Sequence, residues 1–213
     1  MMIAVNGKSR AGVYNSEEHE NVQRADRSAL QLLSESSIIA AVNSPEMLDI
    51  ALLSPSRILY VLTGNPLDLP LMLARAKKCE KVCLVNLDFI DGLARDRHAV
   101  QFLAAHKVDG IVSTRFDVLK VAQQLNLITI QRTFAIDAAA VTAALKSLSQ
   151  FQPDAMEILP AVAAPKVARR LQAAYPKLRL IGGGLIETVK EIEDLFRGGI
   201  HSVSVSNPRL WLA

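Results

Sequence analysis

The sequence predicts an α/β protein, a compact (β/α)8 barrel of the TIM type preceded by a polar N-terminal extension. Eight short runs rich in Ile, Val and Leu occur between residues 37 and 207, and most of them are continuous apolar stretches. Parallel strands buried on both faces have this pattern, whereas half-exposed strands alternate between apolar and polar residues. Segments with helical periodicity separate the runs, and eight strand–helix units are the number that closes such a barrel.

The eight runs define the predicted strands in chain order. They are SIIAAV (37–42), RILYVLT (57–63), KVCLVNL (81–87), GIVST (110–114), ITIQRTF (128–134), AMEILP (155–160), LRLIGG (178–183) and SVSVSN (202–207). A doubly wound open sheet is the alternative, because 213 residues are few for a closed barrel. An open sheet would more often carry a glycine-rich fingerprint after its first strand, and AAVNSPE has none, so the barrel is favoured.

Helix boundaries are signalled by capping residues. Three helices are predicted to begin at an oxygen-bearing residue followed by proline, at Ser44-Pro45, Asn65-Pro66 and Asn207-Pro208. The side-chain oxygen accepts a backbone N–H that has no partner in the helix, and proline suits the first helical position. Thr188 and Glu191 form a predicted capping box, and the glycines at 198 and 199 predict the end of that helix.

The first 35 residues are predicted to form an N-terminal extension, with residues 36–213 as the barrel. Residues 1–27 are polar and lack periodicity, which predicts partial disorder, and RSALQLLSE (27–35) predicts a short leading helix. No secretory signal or membrane-length apolar run is present, so we expect a cytoplasmic protein with no membrane partner. Two cysteines in CxxxC spacing, Cys79 and Cys83, are expected to be free thiols in a reducing compartment.

The ends of the seventh and eighth strands predict a phosphate site. In barrels of this class, phosphate often binds between the loops that follow these two strands. Glycines let backbone N–H groups approach an anion, and a helix N-terminus favours negative charge. The candidate ligands are Gly182, Gly183, Gly184, Ser204, Ser206 and Asn207. The alternative is that the glycines only permit a tight turn and the serines only fill space.

Little in the sequence indicates catalysis. Nucleophile-elbow and metalloprotease motifs are absent, and the four histidines lie in the extension, in helical segments or before a strand. Asp88 and Asp91 alone are weak support for a metal, so no metal site is predicted. Arg132 lies within the fifth strand and needs an anionic partner, which Asp88, Glu157 or a ligand would supply.

The ordered set of these segments resembles the glycerol-3-phosphate-responsive antiterminators of bacteria. The resemblance is carried by NLDFIDGLARD (86–96), DGIVSTR (109–115), TIQRTFAID (129–137), EILPAVAAPKV (157–167) and IGGGLIETVKEIED…GGIHSVSVSNPRLW (181–211). It implies a TIM-type barrel that responds to glycerol 3-phosphate and has no other cofactor. It also implies binding to the leader mRNA of glycerol-metabolism genes, which prevents premature termination, and it implies no catalysis.

Carried over by position, the phosphate would lie at Gly182, Gly183, Ser206 and Asn207. Asp88, Arg132 and Glu157 would then face the glycerol end of the effector. Two departures bear on ligand identity. The first strand ends in Ala-Ala-Val-Asn43 where the family commonly has Pro-Ala-Ile-Arg, and Asn86-Leu-Asp88 replaces His-x-Asp in the third strand.

The predicted RNA-binding residues are basic. They are Lys166, Arg169, Arg170, Lys177 and Arg179, although a solvated helix face explains them equally well. Two other functions stay open at this stage. One is a phosphate-handling TIM-barrel enzyme of the isomerase, aldolase or prenyl-glyceryl-phosphate synthase type, and the other is an inactive barrel that binds a protein partner. The sequence leaves the oligomeric state open.

Overall fold

The computed structural model describes residues 30–33 and 38–212, and its eight parallel strands close into one barrel. The strands are β1 (Ile38–Val42), β2 (Ile58–Val61), β3 (Val82–Asn86), β4 (Gly110–Ser113), β5 (Ile128–Phe134), β6 (Ala155–Leu159), β7 (Arg179–Gly183) and β8 (Ser202–Val205). Each strand pairs with its neighbours in sequence, and pairing of β8 with β1 closes the ring. The predicted (β/α)8 barrel is therefore confirmed.

Seven α-helices cover the outside of the barrel in the described part of the chain. They are α1 (Pro45–Leu53), α2 (Leu69–Lys78), α3 (Arg97–Ala105), α4 (Phe116–Gln124), α5 (Ala138–Gln150), α6 (Ala164–Ala174) and α7 (Val189–Arg197). Short 3-10 helices span Leu87–Phe89, Ala161–Ala163 and Pro208–Leu212. The last of these follows β8, so the helix predicted at Asn207-Pro208 is a five-residue 3-10 helix.

The capping signals had mixed outcomes. Helix α1 begins at Pro45 as predicted, but the side chain of Ser44 accepts no backbone N–H of the helix, so that part of the prediction is wrong. Helix α7 is preceded by the full capping box between Thr188 and Glu191, as predicted. The start predicted at Asn65-Pro66 is wrong, because α2 begins at Leu69. The side-chain oxygen of Asn65 accepts the backbone N–H of Leu67 at 2.8 Å, which closes a turn before the helix starts.

Two apolar layers hold the fold together. Alternate strand residues such as Met156 and Ile158 point outward and pack against the helices, whereas Ala155 packs in the lumen. The lower lumen is filled by aliphatic side chains from nearly every strand. They include Ile39, Ile58, Leu84, Val112, Ile128, Ile130 and Ile181. The lumen at this level is therefore a packed core rather than a pore.

Residues 30–33 close the amino end of the barrel, the end where the strands begin. The side chain of Leu33 is 1% exposed and packs in the lumen with Leu32. The backbone carbonyl of Leu33 accepts the hydroxyl of Ser202, the first residue of β8, at 3.0 Å. The rest of the predicted leading helix and the 1–27 extension lie outside the described residues.

The C-terminal motif has a structural role. The indole N–H of Trp211 donates to the carbonyl of Val205 at 2.7 Å, and the ring is buried against the outer layer. This bond ties the last 3-10 helix to the end of β8. Both cysteines are free thiols, with Cys83 buried and Cys79 exposed. No helix in the described part of the chain is long and apolar enough to span a membrane.

Candidate functional site: a polar chamber in the upper lumen

Five polar side chains project into the lumen above the aliphatic layer. They are Tyr60 of β2, Asn86 of β3, Arg132 of β5, Glu157 of β6 and Ser204 of β8, and we call this set the polar chamber. The alternation of each strand brings them inward, since each lies two residues beyond a lumen-facing aliphatic or small residue. The chamber therefore lies toward the carboxyl end of the barrel, where ligands bind in this fold.

Glu157 is the centre of the polar chamber. One carboxylate oxygen, Oε1, accepts the hydroxyl of Ser204 at 2.5 Å, and the other, Oε2, lies 3.3 Å from Nε of Arg132. Arg132 and Glu157 are direct neighbours in the register of β5 and β6, so the two charges face each other across adjacent strands. The pair is deeply buried, with 12% exposure for the side chain of Arg132 and 2% for that of Glu157.

The three consecutive glycines have different roles. A Cβ atom on Gly183 would lie 2.5 Å from Oε1 of Glu157 and 2.6 Å from the hydroxyl of Ser204, so glycine here makes room for their hydrogen bond. A Cβ on Gly182 would instead face Ile200 and Leu195 on the helix side. Gly184 turns the chain with φ of +76°, in the region that glycine favours. Of the three, only Gly183 borders the chamber.

Burial alters the acid–base properties of the chamber. It raises the pKa of Glu157, while the charge of Arg132 and the hydrogen bond from Ser204 oppose that rise. The pKa of the Tyr60 hydroxyl is raised by burial and by the negative charge of Glu157. The Tyr60 side chain is therefore a neutral hydroxyl at physiological pH, and the carboxyl group of Glu157 holds a proton more readily than an exposed glutamate.

Several buried polar atoms of the chamber have no hydrogen-bond partner within the described chain. They are the Tyr60 hydroxyl, Nδ2 of Asn86, Nε and Nη1 of Arg132, and Oε2 of Glu157. A buried polar group without a partner costs about 1–3 kcal/mol, so such groups are uncommon in native proteins. Two of these atoms, Nε of Arg132 and Oε2 of Glu157, face each other as an ion pair at 3.3 Å. The Tyr60 hydroxyl, Nδ2 of Asn86 and Nη1 of Arg132 have no such partner, and all three can donate hydrogen bonds. This set matches a small ligand that carries hydroxyl groups.

The carboxylate of Asp88 is engaged by the end of β4. Its Oδ1 accepts the Ser113 hydroxyl at 2.7 Å, and its Oδ2 accepts both the backbone N–H and the hydroxyl of Thr114. Nε of Arg95 lies 3.8 Å from the same carboxylate. Asp88 thus joins the ends of β3 and β4, and Glu157, rather than Asp88, is the partner of Arg132. A contact between Asp88 and ligand stays a prediction.

The remaining predicted phosphate residues lie at the carboxyl end of β8. Ser206 is exposed, and Asn207 is half-buried. The side-chain oxygen of Asn207 accepts the backbone N–H of Arg209 at 3.1 Å, which caps the last 3-10 helix. That helix is too short for a substantial macrodipole, so its N-terminus at Asn207 attracts a phosphate less than the N-terminus of a full α-helix would. Phosphate binding by the six residues stays a prediction.

Sequence reasoning missed Tyr60 and two exposed aromatic rings at the mouth. The guanidinium of Arg132 lies 5.1 Å from the ring centroid of Phe89 and 5.8 Å from that of Phe134. Phe89 is 51% exposed and Phe134 is 47% exposed, so the guanidinium of Arg132 links the buried chamber to two rings on the outer surface. A single tyrosine within the aliphatic stretch ILYVL (58–62) was the signal available for Tyr60.

The predicted RNA-binding residues lie away from the chamber mouth. Lys166, Arg169 and Arg170 are exposed on one face of α6, while Lys177 and Arg179 lie at the amino end of β7. The structure therefore places these five along one flank of the barrel. No group of three or more metal-ligating side chains with metal-site geometry occurs among residues 30–33 and 38–212.

Known proteins share this chain's sequence and fold. The model of the glycerol-3-phosphate responsive antiterminator family matches residues 38–211. A glycerol uptake operon antiterminator regulatory protein from Listeria monocytogenes is 30% identical, covers 84% of this chain and 96% of its own, and superposes with a TM-score of 0.78. A glycerol uptake operon antiterminator-related protein from Thermotoga maritima is 28% identical, covers 82% of this chain and 97% of its own, and superposes with a TM-score of 0.75. The Escherichia coli protein YgcP is 30% identical over 185 residues, 85% of this chain and 95% of its own. The chain belongs to the glycerol-3-phosphate responsive antiterminator family.

Proposed function

We propose that this protein is a glycerol-3-phosphate-responsive, RNA-binding transcription antiterminator that acts on the leader mRNA of glycerol-metabolism genes. The observation that carries the proposal is the polar chamber, whose buried and unpartnered polar atoms suit a small hydroxyl-bearing effector. Membership of the family supports both the effector and the RNA partner.

Glycerol 3-phosphate fits the chamber by its chemistry. A hydroxyl of its glycerol part would donate to Oε2 of Glu157, and its oxygens would accept from Nδ2 of Asn86 and the Tyr60 hydroxyl. Arg132 supplies a fixed positive charge that lowers the cost of bringing a dianion to the mouth. The phosphate would then lie beyond the chamber, near Gly184, Ser206 and Asn207 at the carboxyl ends of β7 and β8.

Regulation requires that the effector bind two states of the protein with different affinities. Arg132 offers a direct connection, since its guanidinium contacts Glu157 below and lies against Phe89 and Phe134 above. An effector that binds Arg132 would weaken or shift its contacts with the rings of Phe89 and Phe134. By linkage, RNA that prefers the effector-bound state would tighten effector binding by the same factor.

The test is a mobility-shift titration of glycerol-operon leader RNA with and without glycerol 3-phosphate, beside calorimetric titration of the effector. We expect the effector to strengthen RNA binding and Arg132→Ala to weaken effector binding at least ten-fold, the loss expected for one charged hydrogen bond. Glycerol and inorganic phosphate serve as ligand controls, and Arg197→Ala, on the exposed face of α7, serves as the control variant. Leader RNA that binds equally with and without effector would contradict the proposal.

One observation favours a phosphate-handling enzyme instead. Glu157 is buried, its pKa is raised, and it faces the space where a ligand would bind, as a general acid or base would. The one other ionisable acid in the chamber, within the described chain, is Tyr60, whose hydroxyl stays neutral because its pKa is raised. Asp88 is engaged by Ser113 and Thr114, and the described histidines 98, 106 and 201 lie elsewhere. Turnover of glycerol 3-phosphate or a related sugar phosphate, abolished by Glu157→Gln, would support the enzyme.

A further inference from the structure

The flank of helix α6 carries a line of free positive charge. Lys166, Arg169 and Arg170 stand on its exposed face at spacings of three and four residues, opposite the buried residues Val167 and Leu171. Continuing this face through Ala173 and Ala174 leads to Lys177, just beyond the helix. We call Lys166, Arg169, Arg170 and Lys177 the α6 stripe. Within the described chain, none of the four forms an ion pair, whereas Arg197 on neighbouring α7 pairs with Glu193 and Asp194.

The α6 stripe leads into a cavity of about 440 Å³ at the amino end of the barrel. The cavity lies between the α5–β6 and α6–β7 connections, and its lining includes Gln152, Pro153, Tyr175, Pro176, Lys177 and Arg179. We call it the Tyr175 cavity. Its volume is within the range of small-molecule sites, roughly 300–1,000 Å³. Its one acidic lining residue, Asp154, is engaged by the backbone N–H and hydroxyl of Thr129.

We propose that the α6 stripe and the Tyr175 cavity bind single-stranded RNA, with phosphates along the stripe and one unstacked base in the cavity. An aromatic ring, two proline rings and two cations around one cavity are the groups that hold a splayed base and its phosphate. From Lys166 to Ala174 the helix extends about 12 Å, at about 1.5 Å per residue, which gives the backbone a track of several contacts. This inference rests on the RNA partner of the proposed function and assigns its binding surface.

A second basic cavity on the same end of the barrel provides the comparison. It has a volume of about 460 Å³ and is lined by Lys77, Lys78 and Lys107 at the ends of α2 and α3. The one aromatic ring in its lining, that of His106, packs edge-on against Phe102 at 4.6 Å. In this cavity the aromatic ring already packs against another ring, whereas Tyr175 is half-buried and packs on one side against the outer apolar layer. A protein that used charge alone would bind RNA through either cavity, whereas base stacking requires the Tyr175 cavity.

The experiment measures binding of fluorescently labelled glycerol-operon leader RNA by anisotropy, with full-length protein and saturating glycerol 3-phosphate, at several salt concentrations. We expect Tyr175→Ala to weaken binding on the order of ten-fold and Tyr175→Phe to retain it, because stacking requires the ring and not the hydroxyl. Arg170→Ala/Lys177→Ala should weaken binding and reduce the slope of log affinity against log salt by about 1.4, for two lost phosphate contacts. The matched control, Lys77→Ala/Lys78→Ala, should leave the affinity within about two-fold of wild type, because it touches neither a stripe residue nor Tyr175.

The outcomes separate this inference from the function on which it rests. The thermal melt of each variant shows whether it folds, and the rise in melting temperature with glycerol 3-phosphate shows whether its chamber still binds the effector. Equal losses in the Arg170/Lys177 and Lys77/Lys78 double variants would overturn the assignment while keeping RNA binding. Photo-crosslinking with 4-thiouridine should label the peptide that contains Tyr175, and labelling at Phe89 or Phe134 instead would also overturn it. A wild-type protein that binds the effector but no leader RNA would overturn both proposals.

Discussion

At the amino end of the lumen, Leu33 lies among aliphatic side chains, and its carbonyl oxygen is satisfied by the Ser202 hydroxyl. At the carboxyl end, the chamber around Glu157 and Arg132 contains buried polar atoms without hydrogen-bond partners. Both ends are buried, yet burial acts on them in opposite ways. Apolar surface gains stability of roughly 25 cal/mol per Å² when it leaves water, while an unpartnered polar group loses it. The lower half of the barrel therefore stabilises the fold, whereas the unpartnered polar groups of the upper half lower its stability. Such a loss of stability is expected at a site that binds a ligand.

Removing the Leu33 side chain should destabilise the lower half of the barrel more than any other change considered. Leu33→Ala should destabilise the protein by about 2–5 kcal/mol, because it leaves a cavity in a fully buried site. The affinity for glycerol 3-phosphate should stay unchanged, as measured by calorimetry below the melting temperature. Leu53→Ala is the control, since Leu53 is 88% exposed and its loss should change stability by less than about 0.5 kcal/mol. A loss of affinity in Leu33→Ala would show that the two halves are coupled.

Gly110 and Gly183 border the two halves of the lumen, and neither has room for a methyl group. In the lower half, a Cβ on Gly110 would lie 2.6 Å from the carbonyl oxygen of Ile128, and in the upper half one on Gly183 would meet Glu157 and Ser204. Both alanine variants should lose about 1–3 kcal/mol of stability in denaturant unfolding. Only Gly183→Ala should also lose effector binding, since it displaces the chamber side chains. Equal effector binding by both variants would contradict the chamber as the ligand site.

The pH dependence of stability isolates the buried carboxyl group. Because the pKa of Glu157 is raised above the ordinary value of 4.5, the folded state binds its proton more tightly than the unfolded state. Its contribution to stability is fully present below that value and is lost as pH rises through the folded pKa. The free energy of unfolding of wild type minus that of Glu157→Gln should therefore fall as the pH is raised from about 4.5 toward 8. Asp109, whose pKa burial also raises, is common to both proteins and cancels. A difference that rises with pH would show that Arg132 outweighs burial.

The smallest expected effect concerns the hydroxyl of Tyr60. Tyr60→Phe removes a buried group that has no partner in the described chain, so stability should stay equal or increase by up to about 1 kcal/mol. Affinity for glycerol 3-phosphate should fall by about 0.5–1.5 kcal/mol if the hydroxyl contacts the ligand. Calorimetry with glycerol 3-phosphate and thermal melts measure the two quantities. An unchanged affinity would remove Tyr60 from the chamber's binding groups.

The sequence predicted the barrel because its strands are buried on both faces, a state that leaves a continuous apolar run in most of them; β8, with the sequence SVSV, is the exception. It failed at Asn65-Pro66, because the same residue types that start helices also close turns, and only the bond to Leu67 distinguishes the two. The pairing of Arg132 with Glu157 depends on the register of β5 with β6, which a strand pattern alone does not specify. Tyr60 was missed because a tyrosine in a buried strand is ordinary core composition until its hydroxyl is seen to lack a partner.

The glycines at 182–184 show a different reason for partial success. Their position after the seventh strand was correct, but the requirement at Gly183 comes from Glu157 and Ser204, which lie 26 and 21 residues away in sequence and are adjacent in space. Such a requirement is visible only once three strands are placed side by side. The basic residues of α6 were predicted by composition, and the Tyr175 cavity at the end of their line was not.

The seal formed by Leu33 and Ser202 at the amino end has a kinetic consequence. Within the described chain, side chains fill the amino end of the lumen, whereas the exposed rings of Phe89 and Phe134 border the carboxyl end. An effector in the chamber would then enter and leave past these two rings. The lifetime of the bound effector then depends on how often the mouth beside Phe89 and Phe134 opens, as well as on the contacts inside the chamber. A molecule bound over the two rings would slow dissociation of the effector without contacting it. The effector would then stay bound for some time after its concentration in solution had fallen.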